Sequence, residues 1–483
     1  MLKNCQAIPL GSVRIDGFED FRGALTAAVE SGERVVNMSA QSRANRGAIM
    51  TAVVADDLHG ALRLLRTEID SSFPSLTTAC PQVHLFERVI WEELGIEPVG
   101  HPWLKSVRRH DNPADHPFFA MDGREVHEVA VGPVHAGVIE PGHFRFQCTG
   151  ETVQHLEIQL GYQHRGVERA LVGGPGKRTQ LIIETSAGDT TIGNSIAYCQ
   201  AVEALSRTEI PERAQALRIV VLELERLANH VGDIGALAGD VGFLPAAAFC
   251  GRLRGDLLNM TMTITGSRLG RSFVRPGGVG FDVDAQLAEE LRAALGKAES
   301  HTRDALDLFF DSRSTSERLR GTGRLSDTSC RDLGIVGVAA RASGLNRDVR
   351  SDHPAGGYER LGISPAVEQT GDVLARAQIR RREILGSFTV ANIVLESLPT
   401  GPVAATCAPM EPDSVAVSLV EGWRGEIAHV ATTDALGHFA DYRIVDPSFH
   451  NWSALAMAMR GQQIFDFPLC NKSFNLSYSG FDL

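Results

Sequence analysis

The 483-residue sequence predicts an α+β fold, and three observations carry that prediction. Helix-like and strand-like patterns are mixed within residues 1–105. Residues 195–310 repeat apolar side chains at helical spacing over long stretches, which is typical of an antiparallel helical bundle. Short alternating segments flank this bundle at 126–160 and 414–445, and they predict small antiparallel sheets. We therefore expect a small α+β domain, followed by a long helical bundle with small sheets around it.

The N-terminal region is predicted to contain two helices and three strands. The first helix spans Phe18–Ser31, and strands follow at 34–40 and 49–55. Asp56 or Asp57 is expected to cap a second helix that runs to Ile69, because apolar residues recur there at helical spacing. Alternation predicts a further strand over 83–90. Residues 106–126 are polar and contain proline, which indicates a linker between domains 1–105 and 127–483.

The larger C-terminal region begins with three predicted strands, at 126–134, 143–149 and 153–160. Long helices are expected within 195–310, one of them capped by Asp284, and another helix covers 371–397. Strands are predicted at 414–420, 426–432 and 438–445. A helix and then an extended, aromatic-bearing tail are expected to complete the chain.

Composition excludes several classes of function. The net charge of −12 argues against nucleic-acid binding, which requires a basic surface. No run of about 18 apolar residues is present, so no membrane-spanning helix is expected. The eight cysteines are widely spaced and form no CxxC pair, which argues against a local zinc or iron–sulfur site. We expect them to be reduced and buried.

A polar stretch at Leu181–Tyr198 is the strongest candidate for a functional segment. It begins and ends with apolar residues but is rich in hydroxyl, amide and carboxylate side chains between them, which predicts the wall of a buried pocket. Asp189 would then need a positively charged partner, and Arg350 is a candidate. The alternative is that Asp189 is an ordinary loop residue.

The segment FERVIWEELGIEPVGHP, residues 86–102, resembles the signature of the C-type peripheral-arm subunit of respiratory complex I. Further motifs occur in order along residues 126–460, among them GYQHRGVE at 161–168, ELERLANHVGDIGALAGDVG at 223–242 and DPSFHNWSAL at 446–455. They resemble the D-type subunit of complex I and its relative, the large subunit of membrane-bound [NiFe] hydrogenases. The fusion of a C-like to a D-like domain is the arrangement of the formate hydrogenlyase type, so residues 127–483 are expected to form a hydrogenase-large-subunit-like domain.

The resemblance also shows where the chain departs from both families. It places the four nickel-binding thiolates at Ala187, Thr190, Ser448 and Asn451, and a neighbouring histidine at Asn194. None of these residues supplies the soft sulfur that nickel and iron require, so we expect no [NiFe] centre, no metal held by this chain and no hydrogenase activity.

The residues that bind quinone in complex I are replaced as well. The family's quinone-binding tyrosine corresponds to Gly188, and its histidine corresponds to Pro141. His143 and His135 lie nearby and are candidates to replace the histidine; alternatively, His143 belongs to a solvated strand face. Glu140 resembles the proton-relay glutamate of the hydrogenases, and the alternative is a loop glutamate. The catalytic candidates are therefore Glu140, His143 and Asp189. The remaining expected pocket residues are His135, Ala187, Gly188, Thr190, Asn194, Arg350, Ser448 and Asn451.

The resemblance implies a subunit of a membrane-associated, complex I-like redox complex that couples electron transfer to ion translocation. Its expected partners are a small iron–sulfur subunit of the B type found in complex I, a ferredoxin-like subunit and antiporter-like membrane subunits. The iron–sulfur clusters would lie in those partners, and this chain would be peripheral, on the cytoplasmic side of the membrane. Quinone binding and NAD binding are further properties that the resemblance implies for the complex. Two alternatives are a quinone-reducing protein with relocated ligands and a non-catalytic scaffold.

Overall fold

The computed structural model describes residues 1–43, 47–109, 116–135 and 139–483. Its strands are β1 (Gln6–Pro9), β2 (Ile15–Asp16), β3 (Arg34–Ser42), β4 (Ala48–Asp56), β5 (Ala61–Ile69), β6 (Ser72–Pro74), β7 (Glu97–Val99), β8 (Val126–Val131), β9 (His143–Thr149), β10 (Thr152–Gln159), β11 (Val274–Arg275), β12 (Gly278–Val279), β13 (Ser414–Glu421), β14 (Glu426–Thr433) and β15 (Phe439–Val445).

The helices are α1 (Phe18–Glu30), α2 (His84–Leu94), α3 (Val167–Leu171), α4 (Thr179–Ile183), α5 (Thr191–Leu205), α6 (Glu212–Asp240), α7 (Leu244–Thr265), α8 (Ala285–Phe310), α9 (Arg313–Leu319), α10 (Asp327–Asp332), α11 (Gly337–Ala342), α12 (Val349–Asp352), α13 (Val373–Glu396), α14 (Pro447–Ala458), α15 (Phe467–Phe474) and α16 (Tyr478–Asp482). The mixture of long helices and small antiparallel sheets confirms the predicted α+β class. In the described part of the chain, no helix is both long and apolar enough to cross a membrane.

The N-terminal region forms a four-stranded sheet in the order β2-β5-β4-β3, and α1, β3 and β4 confirm three sequence predictions. The predicted helix ending at Ile69 is wrong. Strand β5 occupies its second half and pairs antiparallel with β4 from Asp56 opposite Ala61 to Ala48 opposite Ile69. A continuous ladder satisfies every backbone group on that edge, which outweighs a helical spacing of apolar side chains.

The predicted strand over 83–90 is also wrong, because helix α2 occupies this segment. Leu85, Phe86, Val89 and Ile90 are all buried, and their spacing defines one face of a helix. Gly95 follows with a φ of +68° and ends the helix with a left-handed cap.

Strand β1 leaves the N-terminal region and joins the C-terminal sheet, whose order is β1-β13-β14-β15. The three predicted C-terminal strands are confirmed as β13, β14 and β15. One continuous apolar core contains buried residues from both regions, including Phe86 of α2, Phe144 of β9 and Phe449 of α14. The boundaries at 105 and 127 therefore remain a prediction about domain organisation.

The helical bundle of α6, α7, α8 and α13 confirms the predicted long helices. Asp284 accepts a hydrogen bond from the backbone N–H of Leu287 and caps α8 as predicted. Helix α5, which carries the second half of the polar stretch, packs between this bundle and the sheet of β13 and β14. The second half of the polar stretch therefore forms a helix, and the residues of that helix, Thr191–Leu205, are almost all buried.

The three-stranded sheet β10-β9-β8 confirms the predicted strands after residue 126. The predicted extended tail is wrong, since α15 and α16 follow α14. Pro468 stands in the first turn of α15, where a missing N–H costs nothing, and Leu469 and Phe474 bury the helix against the core. Ser477 caps α16 by accepting from the N–H of Gly480 at 2.9 Å.

Candidate functional site

A cavity of about 400 Å³ opens beside the loop 184–190, which connects α4 to α5. We call it the loop cavity. Its wall contains three carboxylates and two guanidinium groups; the lining residues are Glu140, Gln163, Arg165, Glu184, Thr185, Ala187, Gly188, Asp189, Thr191, Leu269, Arg271 and Ser479. The structure therefore brings together four of the residues selected from the sequence: Glu140, Ala187, Gly188 and Asp189.

The backbone of the loop is held by three side chains from two other segments, the turn between β13 and β14 and helix α6. Arg424 donates from Nη1 to the carbonyl oxygen of Gly188 at 2.9 Å. The Asp189 carbonyl accepts from Trp423 Nε1 at 2.9 Å and from Asn229 Nδ2 at 3.0 Å. These contacts fix Asp189 in a left-handed conformation with a φ of +56°, which a non-glycine residue adopts only when its surroundings enforce it. The wall is thus rigid at its centre.

Arg165 holds the other end of the loop. Its guanidinium donates to the carbonyl oxygens of Thr185 at 2.7 Å and Ser186 at 2.9 Å. It also donates to the carbonyl of Ser479 at 3.1 Å, which ties the loop to α16. Burial lowers the pKa of Arg165, but it stays far above neutrality and leaves a fixed positive charge at the cavity.

Glu184 is the buried acid of the loop cavity, with an exposed fraction of 2%. Its Oε1 accepts from the N–H of Ser272 at 2.6 Å and from Gln180 Nε2 at 3.0 Å. Its Oε2 has no hydrogen-bond partner within the described residues. A buried carboxylate oxygen without a donor is costly, and a proton or a ligand donor relieves that cost.

Asp189 agrees with the alternative that the sequence left open, an exposed loop residue. Its side chain is 45% exposed and pairs with Arg254 at 3.4 Å. The proposed partner, Arg350, is buried elsewhere, where it pairs with Asp348 at 2.7 Å and with Glu223 at 3.4 Å. The expected Asp189–Arg350 pair is therefore wrong. Because the loop faces solvent at this point, Asp189 needs no buried counter-charge.

Three of the four residues that the resemblance places at thiolate positions form hydrogen bonds through their side chains. Asn451 bridges the backbone of Val336, donating to its carbonyl and accepting from its N–H, both at 3.1 Å. Ser448 Oγ accepts from the N–H of Ser477 at 2.8 Å. Thr190 Oγ1 accepts from Arg424 Nη1 at 2.9 Å.

The fourth position, Ala187, presents only a methyl group to the loop cavity. Asn194 donates to the Thr190 carbonyl at 2.9 Å, and its Oδ1 lies 3.2 Å from His429 Nε2. Within the described residues, no group of three or more His, Cys, Asp or Glu side chains is arranged to hold a metal ion. The residues at the four thiolate positions do not fit a nickel–iron centre, because they offer no sulfur and their polar atoms are engaged with the backbone.

The two candidate histidines lie outside the wall of the loop cavity. His143 is on β9, stacks against Phe118 and accepts from Arg145 Nε at 3.3 Å. His135 packs between Phe144 and Tyr478, and its Nε2 is buried without a partner among the described residues. Burial lowers the pKa of both imidazoles, so both are neutral at pH 7.

A second buried acid, Glu225, lies directly behind the loop on α6. Its carboxylate accepts from the backbone N–H groups of Ile192 at 2.7 Å and Gly193 at 3.1 Å, at the start of α5. Burial raises the pKa of Glu225 to about 8, and the charge of Asp189 acts in the same direction. An acid whose pKa lies near neutrality can both take up and release a proton under physiological conditions.

The bundle also contains a network of buried ion pairs that sequence reasoning missed. Glu223 accepts from Tyr358 Oη at 2.6 Å and pairs with Arg226 at 3.2 Å. Glu383 of α13 lies 2.9 Å from His230 Nε2 and pairs with Arg341 at 2.7 Å. The sequence did contain an indication of this network. Three charged or titratable residues, Glu223, Arg226 and His230, recur at helical spacing within an otherwise apolar face of α6.

Sequence reasoning also missed most of the other residues that line the loop cavity. Glu184 belongs to the polar stretch, but nothing in the sequence distinguished it from its neighbours. Arg165, Arg271 and Ser479 come from three distant segments, and Ser479 lies in the tail that was expected to be extended. Only the tertiary fold brings these residues together.

Comparison with known proteins gives consistent results over most of the chain. Residues 240–417 match the family model of the respiratory-chain NADH dehydrogenase 49 kDa subunit, and residues 24–120 match that of the 30 kDa subunit. The chain is 31% identical to the carbon monoxide-induced hydrogenase of Rhodospirillum rubrum over 348 residues, which cover 72% of this chain and 96% of that protein.

Two further relatives represent the other branches of this similarity. Formate hydrogenlyase subunit 5 of Escherichia coli (strain K12) is 28% identical over 444 residues, covering 86% of this chain and 78% of that protein. The D-type subunit of the NADH-quinone oxidoreductase of Geobacter sulfurreducens is 28% identical over 373 residues, covering 72% of this chain and 96% of that protein. The similarity thus extends to hydrogenase and quinone-reducing branches alike.

Proposed function

Since this chain belongs to the family of fused complex I 30 kDa and 49 kDa subunits that includes hydrogenases of the formate hydrogenlyase type, we propose that it is the coupling subunit of a complex I-like redox complex without a nickel–iron centre. In this role the chain holds no redox cofactor. It exchanges protons at the loop cavity while partner subunits transfer electrons, and that exchange drives ion translocation in the membrane.

The observation that carries the proposal is the unpartnered Oε2 of Glu184 in the wall of the loop cavity. The resemblance places Ala187, Gly188, Ser448 and Asn451 at positions that bind metal or quinone in these families, and these side chains offer neither a thiolate nor a phenol. What remains in the cavity is a set of carboxylates beside fixed guanidinium groups. Such a set supports proton exchange, since a nearby change in charge shifts the proton affinity of each acid.

Proton transfer through this region would use the acids in order of their burial. Glu140 and Asp189 lie in the cavity wall, and the Asp189 side chain is 45% exposed to solvent. Glu184 is buried in the same wall, and Glu225 lies behind the loop, with a pKa raised to about 8 by burial. A change in charge on a partner's redox centre would alter which of these acids holds a proton.

The family also supports the expected partners. We propose that this chain binds a small iron–sulfur subunit, that a ferredoxin-like protein supplies electrons, and that antiporter-like subunits lie in the membrane beneath. This chain would then be peripheral, on the cytoplasmic side. Purification of the native complex from membranes, with identification of its chains and metal analysis, tests this assembly. We expect iron but no nickel; nickel in equal amount to this chain would contradict the proposal.

The coupling role itself is tested by Glu184→Gln. The amide keeps the shape of the side chain and its contact with Ser272, but it cannot carry a proton. In proteoliposomes containing the whole complex, we expect electron transfer to continue while the number of ions moved per electron falls severalfold. Glu30→Gln, on the exposed face of α1, is the matched control and should leave the ratio unchanged. An unchanged ratio in Glu184→Gln would instead favour the non-catalytic scaffold.

A second candidate function is quinone reduction with relocated ligands, and the environment of His135 favours it. Its Nε2 has no partner within the described residues, whereas His143 is engaged with Arg145 and Phe118. If quinone binds, quinone-dependent turnover should be lost in His135→Ala and retained in His143→Ala. The absence of turnover with any quinone would remove this candidate.

A further inference from the structure

A second cavity, of about 470 Å³, is separate from the loop cavity and shares no lining residue with it. We call it the β1 cavity, because Cys5, Gln6 and Ala7 of the first strand and its approach form one wall. Helices α5 and α6, strand β13 and the segment 349–358 form the others. Ile196, Gln200 and Ala204 recur every four residues on α5, so a single face of that helix lines the cavity.

The body of the β1 cavity is apolar. Six aliphatic side chains from four elements line it: Ile196, Ile219, Leu222, Val349, Leu419 and Val420. A cavity of several hundred Å³ with mainly apolar walls and a few placed polar groups is the usual form of a small-molecule site. Its apolar surface gains free energy when a ligand displaces water from it.

The charged groups of the inner wall are already neutralised. Arg218 and Glu203 form a two-pronged ion pair at 2.6 and 3.0 Å, and both are buried. Arg350 pairs with Asp348 at 2.7 Å. Glu421 accepts from Arg341 Nη1 at 2.7 Å and from a backbone N–H. A charged ligand would therefore find no buried, unpaired counter-charge among the described residues of this wall.

Among the other lining groups, His353 is buried, with its Nε2 3.0 Å from Asp57 Oδ1 and its Nδ1 without a partner within the described residues. Burial raises the pKa of the Cys5 thiol to about 12, so the thiol keeps its proton. Arg207 and Glu209 are both exposed and carry opposite charges. The interior thus favours an uncharged molecule, since desolvating an ion without a partner is costly.

One amide supplies a free hydrogen-bond donor. Gln200 is 9% exposed, and its Oε1 accepts from Ser418 Oγ at 3.0 Å. Its Nε2 has no acceptor within the described residues. This atom lies beside Gly356, since a Cβ placed on that glycine would be 3.0 Å from Gln200 Nε2. Both residues line the β1 cavity, so Gln200 offers an N–H to a ligand oxygen.

From this arrangement we propose that the β1 cavity binds a neutral, mostly apolar small molecule whose hydroxyl or carbonyl oxygen accepts a hydrogen bond from Gln200. The apolar body of the ligand packs against the aliphatic walls. Its one oxygen fixes the orientation. This site is independent of the proton exchange proposed at the loop cavity, so either proposal can fail without the other.

The probe for the experiment is 2-naphthol, which is neutral, mostly apolar and fluorescent, and carries one hydroxyl. Binding to the full chain in its native complex is measured by fluorescence titration and by equilibrium dialysis. The variant Ala204→Trp places an indole in the cavity and is expected to weaken binding by at least about tenfold. The control Gly188→Trp fills the loop cavity instead, where a Cβ meets nothing within 4 Å, and should leave binding unchanged.

The role of the amide is tested by Gln200→Leu with two probes. We expect the affinity for 2-naphthol to fall by about fivefold, the contribution of one hydrogen bond. The affinity for 2-methylnaphthalene, which lacks the oxygen, should not fall. This comparison decides the question even if Ala204→Trp does not fold, as checked by circular dichroism.

Three results would overturn the proposal. The first is the absence of saturable 2-naphthol binding in the wild type at concentrations up to about 1 mM. The second is binding that survives in a folded Ala204→Trp variant or disappears in Gly188→Trp, since either places the probe outside the β1 cavity. The third is an equal effect of Gln200→Leu on both probes.

Discussion

Replacement of Glu225 by glutamine should make the stability of the protein less sensitive to pH. Burial raises the pKa of Glu225 from 4.5, its ordinary value, to about 8. Between these two values the folded protein holds a proton that the unfolded chain has released. The stabilising contribution of an acid whose pKa is raised by folding is therefore fully present below about pH 4.5 and is lost as the pH rises towards 8.

The magnitude follows from the linkage relation. One proton of difference changes the free energy of unfolding by about 1.4 kcal/mol per pH unit, which gives about 3 kcal/mol between pH 5 and pH 7.5. Glutamine does not titrate, so the variant does not suffer this loss. Its Nε2 cannot accept from Ile192 or Gly193, however, and that mismatch costs about 1–3 kcal/mol at every pH.

We therefore expect Glu225→Gln to be less stable than the wild type at pH 5 and to recover relative to it as the pH rises to 7.5. The measurement is urea unfolding followed by circular dichroism at four pH values, with Glu30→Gln as the exposed control. A difference in unfolding free energy that stays constant with pH would refute a raised pKa. If the variant instead loses stability relative to the wild type as the pH rises, the pKa of Glu225 is lowered in the folded protein. The two backbone N–H donors would then have a larger effect on this pKa than burial.

Three further predictions concern residues whose contacts stabilise the fold. Gly371→Ala should prevent folding, with a cost above about 3 kcal/mol, because Gly371 has a φ of +64° and a Cβ would overlap the backbone oxygen of Leu325; recovery of a normal yield of folded protein would contradict this. Asn451→Ala should cost about 2 kcal/mol in urea unfolding, since both hydrogen bonds to Val336 are lost, and a cost near zero would mean that water replaces them. Arg254→Ala should cost at most about 1 kcal/mol, because its pair with Asp189 is exposed; a larger loss of stability would show that the pair anchors the loop.

The sequence predicted the long helices of the bundle, because apolar side chains repeat at helical spacing over many turns there. The strands of the C-terminal sheet were also predicted, from clear alternation of apolar and polar residues. Two predictions in the N-terminal region were wrong. In β5, Leu62, Leu65 and Ile69 also fit a helical stripe. This segment is a strand because it pairs with β4, and local spacing of residues does not reveal a pairing partner. In α2, eight residues were too few to separate alternation from a helical face.

The sequence predicted some residues of the candidate site but not the contacts that position them. The resemblance placed Ala187, Gly188 and Asp189 in one wall, and the structure has them there with Glu140. It could not show that Asp189 faces solvent, because exposure depends on what packs against the loop. Nor could it show that Arg165 holds the loop. Its guanidinium donates to carbonyl oxygens 20 and 21 positions away in the loop and to a third one 314 positions away in α16, a geometry that sequence does not specify.

The residues predicted at the thiolate positions are held by specific hydrogen bonds. Asn451 makes one donated and one accepted hydrogen bond with the same residue, Val336, and a thiol, a weak donor and acceptor, cannot reproduce that pair. Ser448 Oγ accepts from the N–H of Ser477, just before α16, and Thr190 accepts a hydrogen bond from the guanidinium group of Arg424. Cysteine at position 448 or 451 would leave buried backbone groups without a good partner, with a cost of about 1–3 kcal/mol for each group. These two environments therefore favour the residues present over thiolates, which agrees with our proposal that the function lies with the carboxylates of the loop cavity.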